Sequence, residues 1–179
     1  ICSTVIINCN MVLASRTFES KVNASVYKKY FKDVVGEVVK PGTLEGGDFI
    51  WIDESHAAVG NGTRTNKAGI SQLQKILGFD VELMTVDLPQ PDHPDDVLHL
   101  MSIISPIDED LAVIYEKFTP NSFIEWLESL GMTFISVSDD EYECMSCNVL
   151  ALAPREVVIL ESCVSLKNKL LKKNCIVHT

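Results

Sequence analysis

DFIWIDESHAAVGNGTRTNKAGISQLQKILGFDVELMTV, residues 48–86, holds two short apolar runs, an amphipathic stretch and a third apolar run, punctuated by glycine. Residues 48–52 and 57–60 read as strands, Ile70, Leu73, Ile76 and Leu77 recur at helical spacing, and 81–86 reads as a closing strand. Gly78 stops the helix, because a left-handed residue after the last turn suits glycine. The unit is strand, strand, helix, strand.

The same order recurs outward from this segment. Before it come strand-like residues 4–8 and 11–14, a helical stripe of Val22, Val26, Tyr30 and Val34 ending at Gly36, and residues 37–39. After it come 98–104 and 111–115, a helix opened by Thr119-Pro120-Asn121-Ser122, carrying Phe123, Trp126, Leu127 and Leu130 and stopped by Gly131, then 133–137. A fourth copy uses 148–152, 157–160, a helix over about 164–173 with Asn174 in the stop position, and 175–177. First strands starting near 4, 48, 98 and 148 give steps of 44, 50 and 50 residues, within the range of repeat architectures. The expectation is an α/β chain of four modules, about 4–39, 48–86, 98–137 and 148–177, in one domain over 1–179. Stacked round an axis, such modules bring equivalent strand ends to one central channel. The plainer alternative is a generic α/β sandwich.

Composition narrows the function. The 179 residues are 46% hydrophobic and 22% charged, enough for one well-buried domain. No run of about 18 apolar residues and no signal-peptide pattern occurs, so a cytoplasmic protein with no membrane span is expected. A net charge of −10 repels phosphate backbones and favours cationic small molecules, which argues against nucleic acid. The six cysteines read as mostly reduced thiols.

Three side chains stand out. Glu45 precedes Gly46 and Gly47, which allow backbone geometry closed to other residues and leave room beside its carboxylate for a ligand, and a carboxylate accepts two parallel hydrogen bonds from a guanidinium. Arg64 lies in a glycine-bounded turn ahead of a helix, with Thr63, Thr65 and Asn66 as caps, an arrangement that suits a carboxylate. His99 is placed in the first strand of the third module, on the face opposite Leu98 and Leu100, where its near-neutral titration suits a proton shuttle. Against these readings stand a solvated turn, a surface ion pair and a satisfied core histidine. Cys144-Met145-Ser146-Cys147 has C-x-x-C spacing without a second pair, and reads as reduced cysteines before metal or redox work. His93, Asp95, Asp96 and His99 are read as a solvated acidic loop before a metal site. His56 and His178 lack a convincing partner, and Asp108-Glu109-Asp110 and Asp139-Asp140-Glu141 are taken as turns and solvated faces. No metal and no cofactor is expected.

Read in order, L-E-G-G-D at 44–48, G-N-G-T-R-T-N at 60–66, L-H-L-M-S at 98–102 and C-N-V-L-A-L-A-P at 147–154 resemble the guanidino-group-modifying (pentein) superfamily, nearest its dimethylarginine dimethylaminohydrolase branch. The resemblance implies a five-bladed α/β propeller of strand-strand-helix-strand modules, four of which are present. It implies that Glu45 binds the substrate guanidinium, that Arg64 holds the amino-acid carboxylate and that His99 is general acid and base. In the family a cysteine thiolate attacks the guanidinium carbon, an amine leaves with a proton from the histidine, and water releases citrulline. The family's nucleophile lies in a glycine-rich segment beyond the point matching His178-Thr179, and Ser3-Thr4 stand where a second substrate-binding aspartate is expected. Met101, two residues after His99, tilts the choice towards the dimethylargininase branch.

The leading expectation is thus a fragment of an amidine hydrolase acting on methylated arginine. An arginine deiminase or amidinotransferase, or a non-catalytic guanidine- or partner-binding relative, are the alternatives. Unpaired module edges lead to an expectation of self-association, hence a homo-oligomer.

Overall fold

The computed structural model describes residues 6–27, 29, 34–90 and 97–179. Eleven strands and five α-helices are seen among them, in two compact units, Ile1–His99 and Leu100–Thr179.

The first unit opens with β1 (Ile6–Asn8), α1 (Glu19–Tyr27) and β2 (Val34–Glu37), with β1 and β2 paired in parallel. It continues with β3 (Phe49–Trp51), β4 (His56–Asn61), α2 (Lys67–Leu77) and β5 (Glu82–Asp87). β4 is central, antiparallel to β3 and parallel to β5. Its middle residues are buried, as a central strand covered on both faces requires. Leu44, Val59, Ile70 and Leu73 pack the core of this unit with Val38.

The second unit repeats that order twice. β6 (Ile104–Asp108), β7 (Leu111–Ile114), α3 (Asn121–Ser129) and β8 (Thr133–Ser136) form one sheet with its helix. After α4 (Asp139–Glu143), β9 (Leu150–Ala153), β10 (Glu156–Val158), α5 (Val164–Lys172) and β11 (Ile176–His178) form the other. In each sheet the middle strand is antiparallel to the strand before it and parallel to the strand after the helix. Every residue of β7 is buried, and Leu166 and Leu170 of α5 join Leu111, Val113 and Val157 in one core.

Several expectations hold in detail. The three later modules have the strand, strand, helix, strand order, and the chain is a mixed α/β protein. Positive φ occurs at Gly78 (84°), Gly131 (87°) and Asn174 (61°), the three expected helix stops that follow α2, α3 and α5. Gly78 goes further than a left-handed cap, because its ψ of 173° lies where essentially only glycine is found.

The first module departs from expectation. Val22 and Val26 are exposed, Ala24 is the buried residue of α1, and Val34 belongs to β2. β-Branched Val34 and Val35 favour extended backbone, so the helix ends earlier and Gly36 lies within a strand. Tyr30 falls outside the described residues. Residues 11–14 are not a strand: the Val12 amide donates to Glu45 Oε1 at 3.4 Å, and a 3₁₀ turn follows at Ala14–Arg16. The acids at 139–141 form α4 rather than a bare turn. Ser138 and Glu141 make a reciprocal capping box at its start, a signal the S-x-x-E spacing already carried.

Candidate active site

Glu45 is the hub of the first unit's polar interior. Its backbone is extended, its side chain is only 2% exposed, and the 3₁₀ turn Gly46–Asp48 follows directly. That turn brings a second carboxylate, Asp48, into the same buried region. Thr65, fully buried, links the two: its hydroxyl accepts from the Glu45 amide at 3.1 Å and donates to Asp48 Oδ2 at 2.6 Å. Buried carboxylates need such partners, since an unpaired charge away from water is costly.

Arg64 is held by the turn between β4 and α2. Asn66 caps α2, accepting from Gly69 N at 2.8 Å and from Thr43 N at 3.0 Å, which ties the helix start to the Thr43–Glu45 backbone. From there Arg64 Nη1 donates to both oxygens of Glu45, at 3.0 and 3.3 Å. The expected residues thus meet, but as partners of each other. The single nitrogen involved uses part of a guanidinium's five donors.

His99 is not in a strand. It precedes a 3₁₀ turn, Leu100–Ser102, and β6 begins only at Ile104. Leu100, Ile103 and Ile104 are all buried while Met101 is exposed, a spacing that suits a turn entering a strand rather than simple alternation. His99 Nδ1 lies 3.0 Å from Asp48 Oδ1, and Nε2 lies 3.7 Å from Glu45 Oε2. The ring sits directly over Gly47, where an added Cβ would come within 2.9 Å of His99 Cγ. The two glycines therefore differ from expectation: neither has positive φ, and the space at Gly47 admits the imidazole, while a Cβ on Gly46 would meet nothing within 4 Å.

Arg16 completes the cluster and was not singled out in the sequence. Its Nη1 donates to Glu45 Oε2 at 3.2 Å, and its Nε and Nη2 donate to Glu19 at 3.0 and 2.9 Å. Those bonds hold the Glu19 carboxyl below the usual carboxylate range. No motif carried this contact, because Arg16 lies 29 residues from Glu45 in an irregular segment. Thr65 was read only as a helix cap, and Asp48 was quoted within a motif without a role at the site.

Three of the described cysteines, Cys147, Cys163 and Cys175, are buried. Burial, with the nearby Glu45 charge, pushes the Cys9 thiol up to about 11. In the second unit Cys144 is exposed, while Cys147 is buried, donates to Ile103 O and is pushed up to about 12 by burial and then Glu141. Residues 91–96 fall outside the described residues, so the His93, Asp95 and Asp96 reading has no structural counterpart. His56 does have partners, its Nδ1 lying 2.8 Å from Asp53 Oδ2, and His178 Nε2 lies 2.9 Å from Glu156.

Repeated α/β sheets and, in the first unit, an imidazole set between two buried carboxylates accompany a sequence match that puts the chain in the guanidino-group-modifying (pentein) superfamily. The arginine deiminase family model matches residues 1–127, and the chain belongs to that family. Solved structures have the same fold. DDAH from Pseudomonas aeruginosa, a cysteine-to-serine mutant complexed with citrulline, aligns with a TM-score of 0.75 at 19% identity, over 97% of this chain and 62% of that one. SxtG, an amidinotransferase from Microseira wollei in the saxitoxin biosynthetic pathway, aligns at 0.79 and 16% identity, over 97% and 60%. The N-terminal domain of ArgZ, an arginine dihydrolase of cyanobacteria in a substrate-bound mutant, aligns at 0.80 and 16% identity, over 99% and 64%. The chain thus spans less than two thirds of the length of each of these three. No curated protein sequence matches it. Among the described residues no helix is long and apolar enough to cross a membrane.

Proposed function

We propose that this chain carries the guanidine-binding and proton-transfer part of an amidine hydrolase acting on methylated arginine. The observation that carries this reading is the placement of His99 between Asp48 and Glu45, with Nδ1 3.0 Å from one carboxylate and Nε2 3.7 Å from the other. Asp48 accepts a hydrogen bond from Nδ1–H and fixes the ring, so that Nε2 exchanges protons beside the Glu45 carboxylate. Glu45 Oε2 and His99 Nε2 then face one guanidinium: the carboxylate holds its N–H groups and the imidazole protonates the departing amine. Arg64 anchors Glu45 and offers its remaining donors to the ligand's carboxylate.

In this reading a thiolate adds to the guanidinium carbon, the alkylamine leaves with a proton from His99, and water, deprotonated by His99, releases citrulline and restores the thiol. Cys9 is a poor source of that thiolate, with its thiol held up at about 11. The repeated modules are read as blades of one α/β propeller. Family membership and the ligands named for the DDAH and ArgZ structures support this reading.

Product analysis of the full-length protein from its natural source tests it. Dimethylarginine giving citrulline and dimethylamine supports the hydrolase. Arginine giving citrulline and ammonia, with dimethylarginine inert, replaces it with a deiminase. Binding of both without turnover replaces it with a non-catalytic guanidine-binding protein.

A further inference from the structure

The two oxygens of Glu45 are not equivalent. Both oxygens accept from Arg64 Nη1, Oε1 at 3.0 Å and Oε2 at 3.3 Å, and Oε1 also accepts from the Val12 amide at 3.4 Å, contacts that belong to the scaffold. Oε2 is the oxygen nearest His99 Nε2, at 3.7 Å, and it is the one that Arg16 Nη1 holds at 3.2 Å. A guanidinium ligand that is to share a proton with His99 must use Oε2. The group already there is itself a guanidinium.

We propose that Arg16 is an internal stand-in for the ligand, seated on Glu45 and displaced when a cationic guanidine enters. This rests on the reading of Glu45 and His99 given above. Crowding at Oε2 argues for displacement over coexistence. With Asp48 the cluster holds three carboxylates against the guanidinium groups of Arg64 and Arg16, so charge admits a further cation, but Oε2 of the almost fully buried Glu45 already accepts from Arg64 Nη1 at 3.3 Å and from Arg16 Nη1 at 3.2 Å, which uses both of its lone pairs. Geometry provides somewhere for Arg16 to go. Its Nε and Nη2 are already on Glu19, which is more than one third exposed, so giving up Glu45 leaves the guanidinium paired at the surface. Arg16 also borders a cavity of about 400 Å³ lined by Cys9, Met11, Asn23 and Gly46. The segment that carries it makes no strand pairing, and its Val12 and Leu13 are exposed.

A stand-in seated nine-tenths of the time raises the apparent Kd for the ligand about tenfold. Calorimetric titration of this protein with L-arginine, compared with Arg16→Gln and Arg16→Lys, reads that factor directly. The expected result is about tenfold tighter binding by R16Q and an intermediate value for R16K, which keeps the charge but loses the planar fork. Unchanged affinity in R16Q, with arginine still bound, overturns the proposal. So does weaker affinity, which would make Arg16 a ligand contact. Absence of arginine binding in all three folded proteins removes the guanidine reading itself, and the proposal with it. Hydrogen exchange gives a second readout: amides at 12–17 exchange faster in the arginine-bound protein, and slower exchange there overturns displacement.

Discussion

His99 Nδ1 and Asp48 Oδ1 lie 3.0 Å apart, and the other oxygen of Asp48 accepts the Thr65 hydroxyl at 2.6 Å. Asp48 is 1% exposed, so its orientation is set by these contacts rather than by water. A carboxylate only accepts, which places the neutral imidazole's proton on Nδ1. Asp48→Asn puts an amide there that is able to donate as well as accept, and the tautomer is no longer dictated. Nitrogen-15 NMR of His99 at a pH where the ring is neutral is expected to show the Nδ1–H form in the natural protein and a mixture in D48N. An unchanged Nδ1–H signature in D48N would remove Asp48 from the positioning of the ring.

Gly46 and Gly47 predict opposite outcomes for one substitution. A Cβ at Gly47 would lie 2.9 Å from His99 Cγ and 3.1 Å from Cδ2, so the ring must move, at a cost of about 1–3 kcal/mol. At Gly46 the same Cβ meets nothing, and the cost is within about 0.5 kcal/mol. Thermal unfolding of G46A and G47A, with the His99 spectrum of each, tests the pair. Equal stability with an undisturbed ring in G47A would refute the close approach.

Glu141 makes stability acid-sensitive in the second unit. Burial alone would raise its carboxyl, but the Lys169 ammonium at 2.7 Å, the Ser138 amide and Ser165 outweigh it and hold the group down at about 2. A folded value below the unfolded 4.5 means that the stabilisation is fully present above pH 4.5 and is lost as pH falls towards 2. The interval corresponds to an upper bound of about 3 kcal/mol. Urea midpoints measured from pH 6 down to pH 2.5 are expected to fall less steeply in Glu141→Gln than in the natural protein. Parallel slopes would show that other carboxylates dominate.

Much of this was legible beforehand because the cues were local. Gly78, Gly131 and Asn174 ended their helices where a stop residue said they must, and Ile70 and Leu73 faced the core as their spacing required. The first module misled for a physical reason: Val22 and Val26 have helical spacing, yet they lie on the outer side of α1, and periodicity alone does not say which side a neighbour covers. At the site, residue types were readable but pairings were not. Glu45, Arg64 and His99 were found as separate motifs, whereas the Arg16–Glu45 and Asp48–His99 contacts join positions 29 and 51 residues apart. Such contacts exist only once the chain has folded.

Two further glycines separate packing from backbone strain. Gly69 lies in the first turn of α2, where the helix rests on the Thr43 backbone so closely that a Cβ would stand 2.0 Å from the Thr43 carbonyl oxygen. A backbone oxygen has no rotamer to escape into, so Gly69→Ala must lift the helix start, weakening the two Asn66 bonds to Gly69 and Thr43 and shifting Glu45 two residues on. The expected cost is about 3 kcal/mol or more, with arginine affinity lost in parallel. Gly78 stands in open space, but at φ 84° and ψ 173° a Cβ is strained whatever the room. Gly78→Ala is expected to cost about 1–3 kcal/mol and to leave arginine affinity unchanged, and asparagine should rescue little because its tolerance is for the left-handed region and not for this ψ. Unfolding midpoints and arginine titrations of G69A, G78A and G78N measure both quantities. Equal loss of affinity in G69A and G78A would mean that stability alone, and not the seating of α2 on Thr43, sets the position of Glu45.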